Sequence, residues 1–286
     1  MDNFIRKVKI EVEGLIIEDL RVSFEVEKSL VGSPNLAKID IYNLNESQRN
    51  TLKDKDPSIK LFAGYKDNYP LIFKGQIRNI NHLYVGVDWI TTLYCGDGAL
   101  ALENATINKT FAPGTTQEQI FNELTSKLTG VAQGTLDGLK ECITGKVSLL
   151  KSLIVSGSVK EWLDKLSKSC GFDYSVNDEV IETTQKGKPL NDEPSFIVSQ
   201  KTGMIGSPEV TEIGANVSVY LKGSLKLGRT FTIVSPTEKI NLGNQFFRKV
   251  NKTVANQTFR INQLKHTGDT HDNTWQTDII GLSYGK

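Results

Sequence analysis

Phe259-Arg260-Ile261-Asn262-Gln263-Leu264-Lys265-His266-Thr267-Gly268-Asp269-Thr270, a short polar run, then Trp275-Gln276-Thr277-Asp278 reads as two strands joined by a polar Gly/Asp turn. The apolar phase slips between Ile261 and Leu264, which predicts a bulge near Asn262-Gln263. Upstream lies Thr202-Gly203-Met204-Ile205-Gly206-Ser207-Pro208-Glu209-Val210, where Gly206 and Pro208 suit a turn. Strands are expected at 196–199, 209–211, 217–221, 230–234, 256–264 and 275–282. Residues 195–286 therefore read as a β-domain.

The first hundred residues have the same character. Val8, Ile10 and Val12 alternate with Lys9, Glu11 and Glu13, and Val22, Phe24 and Val26 alternate with Ser23, Glu25 and Glu27. That period of two gives one apolar and one solvated face. Ala37, Ile39 and Ile41 repeat it. Asn45 followed by Gln48 is a cap-like start for one short helix to about Lys53, and strands resume at 59–65, 71–80 and 89–95. Residues 1–102 thus predict a small barrel or sandwich.

Between the two, residues 103–194 predict an α+β module. Thr115 with Glu118, and Ser158 with Glu161, form capping-box patterns. Ile120, Phe121, Leu124 and Leu128 fall on one helical face, and Val159, Trp162, Leu163 and Leu166 on another. A weak helix is expected around 136–143. The second capped helix should stop at Gly171, before a hairpin of 172–176 and 180–183 across Asn177-Asp178, and 185–194 reads as a linker. The fold class is mainly β with an α+β insert, and no sequence repeat relates the flanks.

Composition narrows the function. The 286 residues are 38% hydrophobic and 23% charged, and 34 Lys+Arg against 33 Asp+Glu leave a net charge of +1. That suits a globular protein and gives no overall signature of nucleic-acid or anionic-membrane binding. No stretch approaches the roughly 18 apolar residues of a membrane span, and the start lacks a signal-peptide layout. Cys95, Cys142 and Cys170 are odd in number and far apart, so buried thiols are expected.

Candidate chemistry is sparse. Gly96-Asp97-Gly98 with Ala101 matches a dinucleotide fingerprint in spacing but sits in an all-β context, so a plain turn is expected. Gly138 to Gly145-Lys146-Val147 has the wrong spacing for a phosphate loop and lacks its Ser/Thr. His266, Asp269, His271 and Asp272 are the one dense group of metal-ligand types, and a solvated turn explains them. His82 falls between expected strands, at a loop or edge. Trp162 reads as core; Trp275 reads as core or a partner anchor, core being favoured. No catalytic residue, metal or cofactor is expected.

Three segments together resemble the baseplate hub proteins of contractile-tailed bacteriophages: Asn35 to Leu44 with its short helix, the Pro113-Gly114-Thr115 helix with the Leu153 to Ser158 step, and the pairing of 202–210 with the His266-to-Trp275 hairpin. The resemblance implies a homotrimeric structural protein, not an enzyme. Its two tube-like β-domains per chain would make a pseudo-sixfold ring joining a sixfold tail tube to a threefold spike. Partners would be tail tube, spike, tape-measure and baseplate wedge proteins, with DNA only passing through the channel and no membrane anchor. The location would be the virion tail baseplate, after synthesis in the host cytoplasm. Any lytic or piercing domain is expected on separate proteins. Gly203, Gly206, Pro208, His266, Gly268, Asp269 and Trp275 are the family-motif candidates for assembly. The alternative is a tail-associated peptidoglycan hydrolase or cell-wall-binding module centred on the insert.

Overall fold

The computed structural model describes residues 5–30, 34–52, 57–140, 149–190, 193–211, 213–240 and 255–284. The dominant element is one 14-stranded sheet built from both ends of the chain. Its first part comprises β1 (Arg6–Val12), β2 (Leu15–Ile17), β3 (Val22–Ser29), β4 (Asn35–Tyr42), β5 (Ser58–Tyr65), β6 (Leu71–Val85) and β7 (Asp88–Asp97). Alternation does its expected work here: β3 and β4 bury every second residue. Helix α1 (Glu46–Thr51) interrupts the strands where the period changes. Asn45 Oδ1 accepts from Gln48 N at 2.8 Å, and Gln48 Oε1 accepts from Asn45 N at 3.0 Å, the expected reciprocal cap.

The last part of the chain supplies β13 (Phe196–Val198), β14 (Met204–Val210), β15 (Gly214–Tyr220), β16 (Thr230–Ile233), β17 (Lys239–Ile240), β18 (Thr258–Asp269) and β19 (Trp275–Leu282). The bulge lies where the phase slip put it: Ile261 pairs with Gly281 and Gln263 with Ile280, leaving Asn262 unpaired. At that bulge β18 changes neighbour. Thr258 to Arg260 pair with β16, whereas Gln263 to Asp269 pair with β3. The two ends of the chain are therefore hydrogen-bonded into one surface.

Each part covers its own core. Val8, Ile10, Phe24, Ile39, Phe73 and Leu93 belong to the first, which also takes in Trp275. Val198, Val217, Phe231, Phe259 and Ile279 belong to the second, which takes in Leu30. Of the expected barrel or sandwich, the barrel is not seen: among the described residues no pairing closes either part.

The insert has a third core around Phe121, Leu124, Leu163 and Phe172. It comprises β8 (Thr106–Phe111) with β10 (Leu153–Ser158), α3 (Gln117–Thr125), β9 (Ala132–Leu136), α4 (Val159–Cys170), β11 (Phe172–Asn177) and β12 (Val180–Gln185). Several local expectations need correction. The first helix is capped one residue later, by Thr116 with Gln119. Ser158 caps α4 by position without a side-chain bond. The weak helix is a 3-10 turn, Asp137–Leu139, after a strand, and residues 141–148 lie outside the described residues. Trp162 does pack against the insert's core as expected, though half-buried, its Nε1 donating to Ser156 O at 3.0 Å. Cys95 is a buried thiol, but Cys170 is disulfide-bonded; Cys142 lies outside the described residues. A six-residue helix, α2 (Ala99–Asn104), follows Gly98 where a plain turn was expected. No helix among the described residues is long and apolar enough to cross a membrane.

Candidate functional site

The two long hairpins, β6–β7 and β18–β19, share one pattern of strand pairing and side-chain bonds. Ile77 N donates to Pro57 O at 3.0 Å as Ile261 N donates to Arg229 O at 2.8 Å. The next residue in each case, Arg78 and Asn262, falls in a bulge. Four residues further on, His82 pairs across the hairpin with Thr91, Nδ1 to Oγ1 3.1 Å; His266 pairs with Thr277 at 2.8 Å. Trp89, the second residue of β7, lies opposite Tyr84, and Trp275, the first of β19, lies opposite Gly268. Of the expected loop or edge, His82 is not in a loop but inside a strand, on a stretch whose outer side pairs with no strand among the described residues.

The neighbouring strands extend the match. Asp40 on β4 accepts from Thr92 Oγ1 at 2.6 Å, and Asp278 on β19 accepts from Ser218 Oγ on β15 at 2.5 Å. The cross-strand bond survives with donor and acceptor exchanged. Strand order repeats too: β3-β4-β7-β6-β5-β1 in the first part, β14-β15-β19-β18-β16-β13 in the last. One pairing differs, β1 with β5 being antiparallel and β13 with β16 parallel.

The motif residues divide between two places. His266, Gly268, Asp269 and Trp275 lie at the β18·β3 joint. His266 is wholly buried, and burial, aided by the Lys28 charge, pushes its pKa down to about 3, so the ring is neutral. Gly268 lies under Phe24: a Cβ there would stand 2.5 Å from Cζ of that ring, so no other residue fits. Burial would raise Asp269, yet Arg21, with an N–O distance of 2.9 Å, and the N–H groups of His271 and Asp272 hold it below the usual carboxylate value. Trp275 packs edge-on to Phe24 with centroids 5.5 Å apart, and the Arg6 guanidinium lies 5.2 Å over its ring. These residues join the parts of one chain.

Gly203, just before β14, and Gly206 and Pro208 on it are elsewhere, β14 being separated from β18 by β15 and β19. Gly203 ends a 3-10 turn at φ 95°, where a Cβ would meet Tyr220. Gly206 and Pro208 lie in a bulge between Ile205 and Glu209, Gly206 exposed and Pro208 buried. Pro208 has no N–H to offer, which suits an edge strand. The structure does not bring the two groups together. Among the described residues no group of three or more His, Cys, Asp and Glu side chains could hold a metal.

A second node had no signal of its own in the sequence. The Asp97 carboxylate accepts the N–H groups of Asp178 at 2.5 Å and Glu179 at 2.9 Å, both left-handed residues in the β11–β12 turn. Asn35 Nδ2 donates to Val176 O at 2.8 Å and to Asp97 Oδ2 at 3.2 Å. Lys28 pairs with Asp178 at 2.8 Å and Lys74 with Glu179 at 2.7 Å. From the other part of the sheet, Arg229 grips Glu182 through both Nη atoms at 2.7 and 3.0 Å, and Arg260 reaches Asp173 at 3.3 Å. One hairpin of the insert is thus bonded to both parts.

What these arrangements do is hold surfaces together; none presents a nucleophile beside a base. A family model described as baseplate hub gp41 matches residues 5–275. No curated protein matches the sequence. Among solved structures, the prophage MuSo2 43 kDa tail protein from Shewanella oneidensis superposes with a TM-score of 0.63 at 10% identity, over 98% of each chain. The tail protein from Neisseria meningitidis MC58 gives 0.64 at 9% identity, over 98% of this chain and 97% of that one. A component of the E. coli type VI secretion system, itself similar to T4 bacteriophage tail proteins gp27 and gp5, gives 0.60 at 12%, over 97% of this chain and 77% of that one. At these identities the likeness is one of fold. The family match spans nearly the whole sequence, and the chain belongs to the baseplate hub gp41 family.

Proposed function

We propose that the protein is a structural hub of a contractile phage tail, three copies forming a ring that adapts the sixfold tail tube to the threefold spike. The observation that carries this is the repeated strand order with its duplicated His–Thr hairpins. Residues 1–102 and 195–286 are then two tube-like domains, and 103–194 the module between them. Two alike units per chain and three chains make six alike units, which is what a sixfold tube needs to rest on. The β18·β3 pairing joins neighbouring units inside a chain.

The face of the sheet turned away from the cores carries Glu25, Glu27, Lys38, Asp40, Lys265 and Asp278. Lys265 is shared between Glu25 at 2.8 Å and Glu27 at 3.0 Å. Lys9 pairs with Glu11 and Lys38 with Asp40 on the same face, and cations already paired hold phosphates less, which suits a bore that DNA must traverse without sticking. Tail tube, spike, tape-measure and wedge proteins are the partners, and the virion baseplate is the location, after synthesis in the host cytoplasm. A secretion-type or tailocin particle would use the same plan. Native mass of the purified protein tests the stoichiometry: three times the chain mass is expected, alone or with its tube or spike partner. A chain that stays monomeric and is absent from tail particles contradicts the proposal.

A further inference from the structure

We infer that the tip of the first hairpin, Leu83 to Val85 on β6, receives strand β14 of a second copy of this chain, repeating between copies the joint that β18 and β3 make within one. This rests on the ring reading above and deepens it by naming the contact.

The duplication fixes the geometry. On its outer side β18 meets β16 first and then, past the bulge, β3. On its outer side β6 meets β5 from Leu71 to Gln76. Past its own bulge, no strand among the described residues pairs with the tip on that side. Tyr84 pairs with Trp89 as Gly268 pairs with Trp275, so Val85 is the counterpart of Asp269. Asp269 lies opposite Ser23, and Ser23 pairs with Asp40. Ile205 pairs with Ser218, the counterpart of Asp40, so Ile205 is the counterpart of Ser23. The repeat therefore sets Val85 of one copy opposite Ile205 of the next.

The side chains suit that register. Leu83, Tyr84 and Val85 are 48%, 62% and 55% exposed, and Ile205 and Tyr220 are exposed on the other edge. An apolar open edge is a template for another strand. Strand β17 already covers Glu209 and Val210, so Met204 to Gly206 has no strand partner outside it among the described residues. Sizes are exchanged between the two joints. Inside the chain, large Phe24 covers small Gly268; between copies, large Tyr84 meets the bulge containing Gly206. The contact is head-to-tail, and three such contacts close a ring.

The test uses the full chain carrying Val85→Cys with Ile205→Cys. Six strands of the sheet separate these positions within one chain, so a disulfide between them must join two copies. Antiparallel neighbours with no hydrogen bond between them come close enough for that bond. Under oxidation, covalent dimers and trimers are expected from the double variant and not from either single one, reversing on reduction. A second variant, Val85→Lys, should lose the trimer mass with the melting temperature of the monomer unchanged. Trimers that neither cross-link in the double variant nor respond to Val85→Lys would overturn this edge and leave the ring standing. No trimer at all, alone or in tail particles, would overturn both.

Discussion

Trp89 and Trp275 hold the same place in two copies of one hairpin, and only Trp275 is covered: it is 4% exposed against 42% for Trp89. Strand β3 and the first core supply the cover for Trp275, through Phe24 and Arg6. Trp89 has only Tyr84, at 5.3 Å between centroids, and the Arg49 guanidinium 4.8 Å over its ring. Its environment is what the second hairpin would have if β3 were removed.

Truncating each ring separates folding from assembly. Trp275→Ala empties a filled site and is expected to cost about 3–5 kcal/mol in urea unfolding. Trp89→Ala should change the unfolding free energy of the single chain by less than about 1 kcal/mol while weakening self-association. Equal losses of stability in the two variants would contradict the asymmetry.

Much of this fold is legible in local pattern. The alternation of Val22 to Val26 and Ala37 to Ile41, the Asn45/Gln48 cap and the phase slip at Asn262 each follow from side-chain period or a short-range hydrogen bond, and each is where it should be. The duplication is not legible, because it survives in cross-strand partners and not in identity. Three residues separate Val85 from Trp89, whereas five separate their counterparts Asp269 and Trp275. The Asp40–Thr92 bond reappears with its residue types swapped. The strand expected at 71–80 runs on to Val85: polar Asn81 and His82 suggest its end, yet they pair across the hairpin with Thr92 and Thr91. The role of Asp97 depends on a turn some eighty residues later, which no window along the chain can contain.

Asp97 should give stability a pH dependence. Burial pushes its carboxyl from 3.8 up to about 7, against the pull of the Glu179 N–H, Lys28 and Asn35, and the Asp178 charge adds to the rise. A carboxyl raised on folding contributes stability that is complete below its unfolded value and is lost as pH rises through its folded one. The melting temperature is therefore expected to carry a component that falls between about pH 4 and 7 and levels off above, and Asp97→Asn to flatten that slope. A wild-type slope that persists unchanged in the variant would rule Asp97 out as its source.

His266 acts in the opposite sense over an overlapping range. Its folded value of about 3 lies below the ordinary 6.5, so the unfolded chain takes up the proton first. The stability it contributes is present above 6.5 and lost as pH falls towards 3. His266→Gln, which keeps a polar partner for Thr277, should shallow the acid limb of a melting profile taken between pH 6.5 and 4. An acid limb of undiminished steepness would count against it.

The insert is held to the last part of the chain by the Arg229–Glu182 pair, 7% and 16% exposed in their side chains. Glu182→Ala leaves the buried guanidinium without its carboxylate and is expected to cost about 3–5 kcal/mol. Lys226→Ala, which removes the exposed pair with Glu193, should cost under about 1 kcal/mol. Matching denaturation midpoints for the two variants would show that the inner pair is not what holds the insert.

Whether residues 1–102 and 195–286 stand side by side around one bore is decided by electron cryo-microscopy of the tail end that contains this chain. A layer of three copies is expected, its six sheet segments alternating between first-part and last-part strands around a common axis. Six copies in that layer, or the two parts of each chain stacked along the axis, would show that the duplicated hairpins are not neighbouring segments of one ring.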